Sequence, residues 1–167
     1  MKLFLSRVLV LVLVLYTLDS CTTDAPASIS TTPVSTTTVP YPYSSFENET
    51  LTLINNYRVS IGLNELAKSD YISFKAEEHN NYMIANNVVN HNNFIARSED
   101  IMKTLGAKYV TENIAFNYNT PQSVLNAWLA SEAHKANLEG DYTHFGLSIR
   151  ENPSTGKKYF TNIFAKL

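Results

Sequence analysis

Cysteine is almost missing from this chain: Cys21 is the only one in 167 residues, so no internal disulfide framework can hold the fold. There is no basic block either. Thirteen Lys and Arg against 15 Asp and Glu leave a net charge of −2, which gives no surface able to track a phosphate backbone and excludes nucleic-acid binding. No segment is repeated, and no G-x-x-x-x-G-K, G-x-S-x-G or H-E-x-x-H motif occurs. The common nucleotide, serine-hydrolase and zincin chemistries therefore have no foothold. The apolar run from Val8 to Tyr16 is about half of the roughly 20 residues that a membrane-spanning helix requires.

What is present at the N-terminus has the layout of a signal peptide over residues 1–20. Lys2 and Arg7 precede the apolar run and no acid accompanies them. Leu18-Asp19-Ser20-Cys21 then resembles the bacterial lipobox, with Asp19 a departure from the small or apolar residue usual there. The resemblance implies that Cys21 receives a diacylglycerol thioether, which would export the chain, anchor it to the bacterial membrane and bar the thiol from nucleophilic catalysis. Residues 21–45 are rich in Thr, Ser and Pro, carry Asp24 as the one charge before Ser45, and read as a tether. Fully extended, such a segment reaches on the order of 70 Å. Residues 46–167 suffice for one domain, expected to be monomeric.

Within that domain, the pattern predicts a first helix opening at Ser44 with Glu47 as capping-box partner, an apolar stripe of Leu53, Ile54, Tyr57 and Ile61, and Gly62 as its stop. A second helix, about Ser69 to Asn87, turns Ile72, Ala76, His79 and Met83 inward. A short third helix follows Ser98 and closes at Gly106. A fourth begins with Thr120 as cap and Pro121 in its first position, and runs Val124, Ala127, Trp128, Ser131 and Leu138 along one stripe. Val110 to Tyr118 reads as a strand with Glu112, Ile114 and Phe116 on one side. Two more strands, about His144 to Arg150 and Lys158 to Ala165, flank a turn at residues 152–156 and predict a hairpin. The expected fold class is α+β: a three-layer α-β-α sandwich with a small antiparallel sheet between helices.

Asn56-Tyr57-Arg58, Asn90-His91-Asn92-Asn93-Phe94 with Arg97, Glu112-Asn113-Ile114-Ala115, and Trp128 through Leu138 (W-x-x-S-x-x-H-x-x-N-L) follow one another in an order that resembles bacterial CAP-domain proteins. Members of that superfamily share an α-β-α sandwich, and animal and plant members place two His and two Glu around a cleft. The resemblance implies His91 as the first histidine and Glu112 as the first glutamate. Ser131 stands where the second glutamate would be, and Asp141, followed by Tyr142, Thr143 and His144, where the second histidine would be. Bacterial members carry a histidine on the fourth helix, here His134. His91, Glu112 and His134 are therefore the expected cleft and metal-ligand set, with Ser131, Asp141 and His144 around it.

Plainer roles stand beside these. Glu112 could be a buried acceptor for loop amides, His134 a helix-end imidazole facing the last carbonyls, and His79 a satisfied core histidine. Two functions remain in play. The first, and the preferred, is a binding module at the cell envelope, its ligand a glycan, lipid or protein. The second is a metal-assisted hydrolase, because two imidazoles and a carboxylate match the ligand inventory of a catalytic zinc site. An enzyme is the less favoured reading, and Zn²⁺ is the metal expected if one binds.

Overall fold

The structure is a computed structural model that describes residues 39–167. The expected signal peptide, Cys21 and the expected tether up to residue 38 lie outside them.

Five helices enclose a four-stranded sheet. In chain order these are α1 (Ser45–Ser60), β1 (Ala67–Lys68), α2 (Asp70–Asn86), α3 (Phe94–Leu105), β2 (Tyr109–Phe116), α4 (Pro121–Ala130), α5 (Glu132–Leu138), β3 (His144–Glu151) and β4 (Lys158–Lys166). The sheet order is β1-β3-β4-β2. The three long strands are antiparallel, but β1 runs parallel to β3. The sheet is therefore mixed rather than antiparallel throughout, because a two-residue strand that carries no alternation of its own pairs at its edge. The α+β sandwich itself is as expected.

Local chemistry sets most boundaries. The Ser44 hydroxyl accepts from Glu47 N–H at 3.2 Å while the Glu47 carboxylate accepts from Ser44 N–H at 2.8 Å, closing the capping box. Thr120 caps α4 through Ser123 N–H, and Pro121 takes the first helical position. The helices depart from the sequence reading in three ways. On α1 the buried positions include Leu51, Ile54 and Arg58; of the expected Leu53, Ile54, Tyr57 and Ile61, Leu53 and Tyr57 pack half-buried against the core and only Ile61, 45% exposed, turns away. α3 starts at Phe94, capped by Asn93 in the left-handed region, while Ser98 is buried and its hydroxyl donates to Ile95 O. The single fourth helix is two, because Ser131 adopts φ −100, ψ 120 and separates α4 from α5.

The chain from Tyr41 onward belongs to the folded body, although its Pro-rich composition reads as tether. Tyr41 is 3% exposed, its hydroxyl donating to the fully buried Glu47 at 3.1 Å, and Arg150 Nη1 reaches the same carboxylate oxygen at 3.0 Å. Tyr43 and Ser73 share a hydrogen bond of 2.7 Å.

Two cores lie on the two sides of the sheet. Under α1 and α4 are Leu51, Ile54, Val124, Trp128, Phe145, Leu147, Phe160 and Phe164; under α2 and α3 are Ile72, Ala76, Ile101, Val110 and Ile163. Arg58 is buried with its guanidinium donating to Asn64 O, Leu138 O and Gly140 O at 2.7 to 2.9 Å, so the cation ties α1 to the carbonyls that end α5.

Candidate functional site

Three side chains, from α2, α3 and the loop between them, gather around Glu112 on β2. The carboxylate-bearing residue is 6% exposed. His91, on the loop, donates from Nδ1 to Glu112 Oε1 at 2.8 Å. Arg97, one turn into α3, donates from Nε to Oε2 at 2.9 Å and brings Nη2 to 2.7 Å. His79, from α2, lies 3.8 Å from Oε1 and donates instead to Asn90 O at 2.7 Å, fixing the loop that bears His91. Burial is the main cause that holds the His79 imidazole below its ordinary range, with Arg97 and His91 pushing the same way and Glu112 opposing.

The early start of α3 makes this geometry possible. Asn87 and Asn93, both in the left-handed region, bracket the loop, and the helix begins soon enough for Arg97 to reach the strand. In the sequence Arg97 stands out only as part of a motif; the signal for its role is a cation in the first turn of the α3 segment, ahead of a strand that carries a carboxylate.

His134 is not part of the cluster. It is held below its ordinary range by burial and by the neighbouring His91 but makes no hydrogen bond to Glu112 or His91. Together with Ser131 it lines a separate groove of about 380 Å³ walled by Ile114, Phe116, Tyr118 and Trp128. Asp141 and His144 do not join either site: Asp141 pairs with Lys166 at 2.5 Å, and the His144 ring meets Thr143 Oγ1 at 3.0 Å.

Among the described residues no three His, Cys, Asp or Glu side chains come together as ligands of one ion. The cationic position beside Glu112 is held by the Arg97 guanidinium, which binds Oε2.

The W-x-x-S-x-x-H-x-x-N residues have a further role at the free edge of β2. Trp128 Nε1 donates to Ile114 O at 3.1 Å and Asn137 Nδ2 to Glu112 O at 3.3 Å, two carbonyls that point away from β4. Asn113 Nδ2 donates to His134 O at 2.9 Å, docking α5 on the strand. The motif thus clamps α4 and α5 to the strand that carries Glu112.

This arrangement has relatives. YkwD, an uncharacterized protein of Bacillus subtilis, is 34% identical over 140 residues, covering 81% of this chain but 54% of its own, so the chain spans about half of that relative. An outer surface protein of Borrelia burgdorferi superposes with a TM-score of 0.62 at 24% identity, over 70% of this chain and 88% of that one. An extracellular protein with an SCP domain from Bacillus anthracis gives 0.63 at 24% identity, over 72% of this chain and 40% of that one. These structural likenesses concern the fold. The model of the cysteine-rich secretory protein family, CAP, matches residues 51–164; with that match across both cores and the Glu112 cluster, the chain belongs to the CAP family.

Proposed function

We propose that this protein is an exported binding module, held at the bacterial envelope by a lipid on Cys21 and displayed on its Thr/Ser/Pro-rich segment, with ligand taken up in the clefts beside the Glu112 cluster. The observation that carries this reading is the state of Glu112: both of its oxygens are committed, one to His91 and one to Arg97. A carboxylate so held is a fixed acceptor that ties α3 and the His91 loop to β2 and so sets the shape of the cleft beside them. The hydrolase reading has nothing comparable. Ser131 Oγ takes part in no hydrogen bond with an imidazole among the described residues, so it lacks the base a nucleophile needs.

Export and envelope location are supported by the leader pattern at residues 1–21, and two structural neighbours are themselves an outer surface protein and an extracellular protein. Among the described residues no helix is long and apolar enough to cross a membrane; attachment, in this reading, is through Cys21.

Two measurements test the reading. The full-length protein should enter the detergent phase on partitioning and the Cys21→Ser variant should not; a mature chain with unmodified Cys21 overturns the anchor. Incubated with denatured protein or cell-wall glycan, with and without added Zn²⁺, the full chain should leave both intact by mass spectrometry. Turnover that disappears in His91→Ala or His134→Ala would overturn the binding-module reading.

A further inference from the structure

A second cleft, of about 290 Å³, lies between α2 and α3, and neither Glu112 nor His134 lines it. Its buried side is formed by His79 and Arg97, with side chains 1% and 8% exposed, and Lys75, Glu78, Tyr82, Asn92 and Asp100 contribute to the rest. The volume is at the small end of ligand sites, enough for about one ring and its substituents.

The cations here are already matched. Lys75 Nζ sits 3.1 Å from Glu78 Oε2 and 3.1 Å from Asp100 Oδ2, and Arg97 is held by Glu112. Lys75 serves both Glu78 and Asp100, and Arg97 is taken by Glu112, so among the described residues no unpaired cation faces the cleft. An anionic ligand would have to separate one of these pairs and leave a carboxylate uncompensated.

A neutral ligand meets a different surface. Carboxylates that accept in pairs, an ammonium that donates three ways, and an amide that does both lie within one small space. Asn92 Nδ2 already donates to the Tyr82 hydroxyl at 2.5 Å, which fixes the amide beside the ring. A hydroxyl group both donates and accepts, so it can join a Lys–carboxylate pair without breaking its neutrality. Ala96 is the one aliphatic residue of the lining, so the rest of its apolar surface belongs to the rings and stems of polar side chains. A ring bearing several hydroxyls on an otherwise apolar frame suits both the polar array and the Tyr82 ring.

We propose that the α2–α3 cleft binds a neutral sugar ring of a glycan, with Lys75, Glu78, Asn92 and Asp100 meeting its hydroxyls and Tyr82 its carbon face. This assignment rests on the binding-module reading and names a ligand class for it.

The test is calorimetric titration of the full chain, held in a detergent without a sugar headgroup, with chitotetraose and maltotetraose as neutral probes and tetragalacturonate as the anionic one. At least one neutral oligosaccharide should bind and tetragalacturonate should not. Tyr82→Ala and Asp100→Asn should each weaken binding at least tenfold. Asn92 is exposed and caps no helix, so Asn92→Ala should weaken binding with an unchanged circular dichroism spectrum, which guards against simple unfolding. No heat with either neutral probe, undiminished affinity in all three variants, or preference for tetragalacturonate overturns the assignment. Those results leave the broader binding reading standing, whereas cleavage of the probes during titration removes both.

Discussion

On the side covered by α1 and α4, the sheet presents Phe145, Leu147, Phe160 and Phe164, all fully buried. On the side covered by α2, it presents Gly146, Ser148, Thr161 and Ile163, and the contacts are of another kind. A Cβ on Gly146 would lie 2.4 Å from Ser73 N, so the backbone of α2 rests directly on β3. Asn80 completes the contact, donating to Ser148 O and accepting from the Thr161 hydroxyl, each at 2.7 Å. The aromatic side is held by buried area and dispersion. The polar side is held by close approach and hydrogen bonds, which fix direction more narrowly than apolar packing does. Glu112, His79 and Arg97 all lie on the second side. A site of oriented polar groups has been built where the packing itself is oriented.

The comparison can be broken first on its aromatic side. Trp128→Ala removes the largest buried side chain and its hydrogen bond to Ile114 O, and should cost about 3–5 kcal/mol in a denaturant titration. Next comes Glu112→Leu, which leaves Arg97 buried without its anion and should cost about 3 kcal/mol. Adding Arg97→Met should recover much of that loss; a strictly additive double variant would show that the two do not act as a pair. Gly146→Ala should cost about 1–3 kcal/mol by overpacking, and its signature should be loss of amide-exchange protection in α2 before α4.

The smallest effect is one of pH. Because burial holds His79 below its ordinary value of 6.5, the unfolded chain takes up that proton first on acidification. The stability this neutral imidazole contributes is therefore complete above about pH 6.5 and is lost as pH falls below it. His79→Gln, which keeps a donor for Asn90 O, should flatten the profile of thermal midpoint between about pH 5 and 7. An unchanged profile would show that His79 does not carry the pH dependence.

The aromatic side is also the side that a sequence reveals. Alternation in Tyr159 to Phe164 and the cap at Thr120-Pro121 give the strand and the helix directly, because period and cap chemistry are local. The inward turn of His79 is legible for the same reason. What is missed is set by tertiary contact. Asn93 caps α3 through backbone conformation without a side-chain hydrogen bond, so Ser98, a better cap by composition, draws the boundary too late. Ser131 interrupts a stripe whose spacing continues through it, and β1 is too short to show a period. At the site, the pairing of His91 with Glu112 is expected from the family resemblance, but the part played by Arg97 is not. His134 enters the expected set through the same resemblance, and the structure places it in the neighbouring groove with Ser131.

The clamp made by Trp128 and Asn137 also bears on how such domains behave in numbers. An open strand edge invites pairing with the same edge of another chain. Here two carbonyls on the free side of β2 are already spoken for by an indole and an amide of the same chain, and the opposite edge is a two-residue strand with Lys68 in it. Molecules crowded side by side on a surface meet one another far more often than they would in dilute solution. The same two side chains that hold α4 and α5 in place thus also remove two acceptors from an edge that another chain could otherwise extend.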